Sequence, residues 1–200
     1  LLASPFIITG IVINQSFILE SKSWDDYALA KAFMSYSLFT VLTLVFSGYL
    51  VDKFTSRKLL IYLNLPMILS LLVLIFFDHS FSAFIFMGLL GITNGFANII
   101  ISSLWAEIYG VNYLGALKAL TGSLMVFSTA AATAVFGLLI DHGYSIENIS
   151  TFCLIYTVLS TAIILFFRNS YNPLLINKTW FFLTRGINNP PWLELQLKIV

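Results

Sequence analysis

Charge is scarce in this chain. Lys and Arg number 10 and Asp and Glu 9 among 200 residues, so charged side chains are 10% of the total, against roughly a quarter in an ordinary soluble domain. A net charge of +1 and the lack of any long basic run exclude nucleic acid as a partner. Cysteine is nearly absent: Cys153 has no second thiol for a disulfide or a metal cage, and reads as a small packing residue. The two histidines, His79 and His142, each follow an aspartate at no spacing that suits a metal. HExxH, G-x-S-x-G, P-loop and CxxC patterns are missing, so an enzyme would have no visible nucleophile, base or metal, and no cofactor is expected.

What the chain has in excess is apolar surface. Hydrophobic residues are 59% of it, with 19 Phe and 9 Tyr, and the mean hydropathy is +0.94. A water-facing core of this size could not hide that much, which makes the bilayer the solvent. A membrane-crossing helix takes roughly 20 mostly apolar residues, because backbone groups in lipid must be satisfied within the segment. Six stretches qualify: span A, Leu2–Leu19; B, Ala28–Val51; C, Leu59–Phe77; D, Phe81–Leu104; E, Leu114–Ile140; and F, Ser150–Phe167. The expected fold is an all-α membrane protein, a six-transmembrane-helix bundle over residues 1–168. Residues 169–200, polar and broken by Pro173, Pro190 and Pro191, are expected to be a poorly ordered tail. The chain opens on Leu with no basic stretch before span A, so it is expected to lack a cleavable signal and to be part of a longer protein.

Lys and Arg near span ends stay on the cytoplasmic side. They sort the connections cleanly. B to C carries Lys53, Arg57 and Lys58, D to E leads into Lys118, and the segment after F holds Arg168, Lys178, Arg185 and Lys198. The other connections hold Glu20, Asp25, Asp26, Asp78, Asp141 and Glu147 against Lys22, with Lys31 just inside B. Spans therefore start and end inside, with the 51–58 loop and the tail cytoplasmic. No Asp, Glu, Arg, Lys or His lies near the middle of any span, which leaves no evident proton relay in the membrane.

Spans C and F are uniformly apolar and suit a lipid-facing position. In D, roughly 100° of rotation per residue gathers Gly88, Gly91, Asn94, Gly95, Asn98, Ser102 and Trp105 on one small, polar face. In E the same arithmetic aligns Gly115, Ala119, Gly122, Thr129, Thr133 and Gly137. Small residues let helix backbones approach, so D and E are expected to be interior. The glycine and threonine stripes read as packing surface. Asn94 and Asn98, one turn apart at membrane depth, either tie helices together or touch a solute, and Asn14 and Gln15 in A pose the same choice. Pro66 is expected to kink C.

The stretch Gly48 to Lys58 resembles the loop signature of the major facilitator superfamily, G-x-x-x-D-[RK]-x-G-x-[RK]-[RK]. Gly48, Asp52, Lys53, Arg57 and Lys58 match it, and Thr55 stands where the signature has glycine. A glycine there would permit positive φ, which Thr adopts only at a cost, so the turn is expected to depart from the family's. "LWAEIYGVNYLGALKAL" and "GLLIDHG" look like further bacterial-type segments, including those of monocarboxylate and oxalate/formate carriers.

The resemblance implies one half of a twelve-helix transporter, with the C-terminal six-helix half favoured and an N-terminal half as the missing partner. It implies a solute site at the midplane between halves, bordered by the first, second, fourth and fifth helices of each, with the third and sixth peripheral. It also implies that Asp52 and the bases around it form a conformational latch at the cytoplasmic face of a bacterial inner membrane. The solute-cavity candidates are Asn14, Gln15, Asn94, Asn98 and Tyr36, all neutral donors or acceptors suited to a small polar solute, an organic anion among the classes considered. Any cation at mid-depth would have to come from the other half. The alternative is a non-transporting membrane interaction or receptor subunit, since packing stripes alone do not make a transporter.

Overall fold

The computed structural model describes residues 2–25, 27–110 and 113–166, all of them in helices and the turns between them. The expected tail lies outside these residues. The protein is an all-α membrane bundle. Its helices are α1 (Ala3–Ile13), α2 (Gln15–Lys22), α3 (Ala28–Lys53), α4 (Ser56–Leu59), α5 (Leu65–Phe76), α6 (Ser82–Tyr109), α7 (Leu114–Asp141) and α8 (Ile146–Phe166). Four of them, α3, α6, α7 and α8, are each long and apolar enough to cross a membrane.

The first and third expected crossings are broken, and amides mark both breaks. α1 and α2 qualify as a span only together, and they meet at a 68° bend. Asn14 sits at that bend and donates its Nδ2 to the Gly10 carbonyl at 2.8 Å, competing with its own backbone N–H, which reaches the same oxygen at 3.3 Å. A side chain that occupies a helical carbonyl in this way lets the chain turn out of the helix. In the third region α4, a 3₁₀ turn at Leu60–Tyr62 and α5 replace one straight helix. Pro66 was expected to kink the span. It lies instead in the first turn of α5, where its missing N–H would be unbonded anyway, and the break falls just before it at Leu63 and Asn64. Asn64 is buried there and donates to Thr161 Oγ1 at 3.0 Å, pinning the break to α8.

α6 is the axis of the bundle. Of its most apolar stretch 56% is buried, against 17% for α3, 22% for α8 and 11% for α7. On one side α3 lies against its glycines: a Cβ on Gly91 would collide with the Tyr36 carbonyl oxygen, and one on Gly95 would lie 2.8 Å from Thr43 Cβ. Thr40 Oγ1 bridges the seam, donating to the Tyr36 carbonyl at 2.7 Å with the Gly91 carbonyl at 3.2 Å. On the other side α5 packs Met67, Leu71 and Leu74 into a core shared with Phe86, Met87 and Leu90.

The expectation that E is an interior helix fails for these residues. α7 fully buries only Ala132 and Phe136, and a Cβ on Gly115, Gly122 or Gly137 would meet nothing within 4 Å. Periodicity identified a face of small residues but could not say what covers it. α7 is held mainly by α1, whose Gly10 abuts the Phe136 ring. α8 exposes Phe152, Ile155, Leu159 and Ile163, in keeping with a lipid-facing position, whereas α5 is half exposed and half core.

Candidate functional site

Three helices leave a cleft of about 480 Å³ between them. Each contributes a face at helical spacing. α1 supplies Ser4, Pro5, Ile8 and Thr9; α7 supplies Lys118, Thr121, Gly122 and Met125; and α6 supplies Asn94, Ala97, Asn98, Ile101, Ser102 and Trp105. α6 thus divides its two amphipathic faces: the glycines go to α3 and the amides go to the cleft. Small Gly122 and Ala97 keep the walls apart from side-chain bulk, while Pro5, Ile8, Ile101 and Met125 make one part of the lining apolar.

The amides are partly committed. Asn98 Nδ2 donates to the Asn94 carbonyl at 2.9 Å and lies 3.4 Å from Asn94 Oδ1. Asn94 Nδ2 and Asn98 Oδ1 make no hydrogen bond among the described residues, so one donor and one acceptor remain for a ligand. Thr121 spends its hydroxyl on the Leu117 carbonyl at 2.8 Å. Trp105 Nε1–H is shut off from solvent and has no acceptor among the described residues, an arrangement that costs about 1–3 kcal/mol. Its ring lies against Tyr109 at 5.7 Å between centroids. Lys118 is exposed, makes no ion pair among the described residues, and is the one charged side chain in the described cleft wall.

Of the five cavity candidates, Asn94 and Asn98 come together in this cleft. Asn14 sits at the α1–α2 bend, Gln15 begins α2, and Tyr36 lies on the α3–α6 seam with its ring edge-on to Phe33 at 6.3 Å; none of the three lines the cleft. Trp105 and Ser102 share the polar face of α6 that the spacing already picks out. Lys118 was read only as a topogenic base; its signal was its spacing with Thr121, Gly122 and Met125 on one face of α7.

The signature loop lies at the same end of the bundle as Lys118. Gly48 is in α3 with open space where a Cβ would go, and Asp52 and Lys53, both exposed, form the last turn of α3. Lys53 Nζ lies 5.7 Å from the Phe54 ring. The turn that Thr55 was expected to disturb needs no positive φ: Thr55 has φ −53° and ψ 137°, extended values open to any residue, and serves as the N-cap position of α4. Ser56 is fully buried, and its N–H donates to Glu107 Oε1 at 2.8 Å, so the end of α6 holds the loop down. Lys58 is exposed; the Arg57 side chain lies outside the described residues.

At the opposite end the three acidic connections converge. Lys22 is enclosed, its side chain 1% exposed, with Nζ 2.6 Å from Asp78 and 2.9 Å from Glu147. Trp24, also buried, donates Nε1–H to the Asp78 carbonyl at 2.7 Å. The ends of α2 and α5 and the start of α8 are thereby tied to one cation, while the cleft's polar residues lie toward the other end.

Comparison with protein families gives a match to the one described as the Major Facilitator Superfamily, over residues 2–195. The match runs beyond Arg168, where the motif resemblance stops. No curated protein and no solved structure matches the chain.

Proposed function

This chain belongs to the major facilitator superfamily of membrane transporters, and on that premise we propose that the cleft between α1, α6 and α7 is its part of an alternating-access solute path. The observation that carries the reading is the Asn94–Asn98 pair: two amides at membrane depth face a cleft with a donor and an acceptor unused. Amides that only tied helices together would be expected to reach another helix, and these bond only to their own. The basic end, with Lys53, Lys58 and Lys118, is the cytoplasmic side in this reading.

The chain acts as one six-helix half, the C-terminal one, that pairs with a second half to close the path. The open side of the cleft and the small-residue stripe of α7, which meets no helix among the described residues, support that pairing. In this reading Asp52, exposed at the end of α3, meets a positive helix N-terminus of the other half and biases the equilibrium between outward-open and inward-open states. The solute is a small organic anion, and the bacterial-type segments around "LWAEIYGVNYLGALKAL" favour an inner-membrane carrier near the monocarboxylate or oxalate/formate group. Uptake of small organic anions and neutral metabolites by the full-length protein in proteoliposomes tests this. Asn94→Leu is expected to lower uptake of whichever solute is carried by about tenfold, as befits a lost hydrogen bond that leaves a polar partner unmet. Wild-type uptake and affinity in that variant would return Asn94 to helix packing.

A further inference from the structure

We propose that the groove between α7 and α8 holds one acyl chain of a phospholipid, taken from the leaflet on the acidic side of the bundle, as a fixed part of the fold. Its described lining shares no residue with the cleft, and the site does not depend on what that cleft carries. The groove measures about 330 Å³, with Val135, Phe136 and Leu139 on the α7 wall and Ile149, Phe152 and Cys153 on the α8 wall. Each set recurs at three or four residues, so one face of each helix makes its wall. Phe136, Ile149 and Cys153 are buried at the floor, while Val135 and Phe152 stand exposed at the rim. Phe6 and Tyr156 close the inner end: the Phe6 ring lies 5.8 Å from that of Tyr156 and 6.0 Å from that of Phe136, bridging the two helices.

Three observations select an alkyl chain. The first is the surroundings. Both walls belong to helices long and apolar enough to cross a membrane, and the only polar side-chain atoms in the described lining are the Tyr156 hydroxyl and the Cys153 thiol. Water would find too few partners there, and an empty groove would forfeit the dispersion contacts of its walls. The second is width. α7 ends at Asp141 and α8 begins at Ile146, and helices joined by so short a turn cannot part far enough beside it to admit a third helix about 10–12 Å across. Yet α7 leans on α1 rather than on α8, which leaves a slot between them. The third is the rim. Tyr144 packs edge-on against Phe152 at 6.2 Å, an amphipathic ring of the kind that marks the headgroup level. Lys22, the cation that meets the start of α8, is already held by Asp78 and Glu147. Asp141 and Glu147 flank the turn, so charge gives an anionic headgroup no advantage, and the groove recognises the chain.

The test places the full-length protein in phosphatidylcholine vesicles doped with the same lipid carrying a diazirine midway along one acyl chain, and maps the photolabel by mass spectrometry. Label on Val135, Phe152 and Cys153 is expected to exceed that on Ile155, Leu159 and Ile163, exposed on the outer face of α8, by about fivefold or more, because a chain walled on both sides buries more apolar surface than one sliding past a single face. Doping with a diazirine-bearing phosphatidylglycerol should give the same ratio. Val135→Trp, which sets an indole across the rim, should lower the groove label about fivefold and leave the outer face unchanged. Label spread evenly over both faces would mark ordinary surrounding lipid and overturn the proposal. So would a groove without label, which would mean that another segment of protein covers it, or a ratio seen with phosphatidylglycerol alone. An unchanged groove label in Val135→Trp would overturn it as well, and the comparison of faces in the unsubstituted protein stands whether or not that variant folds.

Discussion

Replacing Gly91 with alanine is the sharpest perturbation of the fold. The new methyl would point into the Tyr36 carbonyl oxygen, with Thr40 Oγ1 3.0 Å away, and neither can yield easily because the carbonyl is part of α3 and the hydroxyl is bonded to it. Overpacking of this kind costs about 1–3 kcal/mol, partly offset by the better helix propensity of alanine, worth up to about 1 kcal/mol. A net loss of up to about 2 kcal/mol follows once the full propensity gain is taken off. The internal controls are the other glycines. Gly88→Ala meets Phe39 Cδ2 and Ser35 Oγ, both at 3.1 Å; the 40% exposed Phe39 ring can swing away and Ser35, bonded to the Phe84 carbonyl, need give only by a few tenths of an ångström, so the change should cost less than Gly91→Ala. Gly122→Ala and Gly137→Ala meet nothing within 4 Å and should be neutral or slightly stabilising. In thermal melts of the detergent-purified full-length protein both variants gain the same helix propensity, so Gly91→Ala should fall below Gly122→Ala by the overpacking term alone, about 2–12 °C at about 2–4 °C per kcal/mol. Equal melting of the two would refute the α3–α6 seam as described.

Lys22→Met should destabilise the protein by about 1–2 kcal/mol, less than the loss of one partner from a fully buried pair, because Asp78 and Glu147 are 77% and 44% exposed and regain water. Adding Glu147→Gln to it should cost little more, and full additivity in unfolding measurements would contradict a shared cluster. Glu107→Ala removes the carboxylate that accepts the Ser56 N–H, so trypsin should cut the 53–58 loop about tenfold faster, with Glu107→Gln intermediate; an unchanged cutting rate would show that the loop is held otherwise. Asp52→Asn should leave insertion and melting unaltered while changing the transport rate about threefold, since a latch contact worth about 1 kcal/mol shifts a balanced equilibrium constant about fivefold. Wild-type transport in that variant would remove the latch.

Much of the bundle could be read from periodicity. The roughly 100° step of an α-helix puts Asn94 and Asn98 on one face of α6 and its glycines beside them, and the structure uses both, on adjacent sides. Where the reading went astray, the missing information was the identity of the neighbour. The stripe on α7 looks as small as that on α6, yet only the latter meets a helix among the described residues. Asn14 could be seen as an expensive amide in lipid, but its pull on the Gly10 carbonyl and the bend that results depend on a local choice between two donors. Lys22 and Lys118 counted only as signs in a topology argument. Their roles come from long-range placement: one is walled in by two distant carboxylates, the other lines the cleft with no ion pair among the described residues.

A solute path through the cleft between α1, α6 and α7, as proposed, runs past Asn98. Its most direct test is the accessibility of Asn98→Cys, in a full-length background freed of Cys153 and any other cysteine, to a charged thiol reagent presented from the cytoplasmic side of inverted vesicles. This position should be labelled, the transported solute should slow its labelling, and Phe46→Cys, on the exposed apolar face of α3, should be indifferent to the solute. An Asn98→Cys variant that transports yet is labelled at the same rate with and without solute would contradict it.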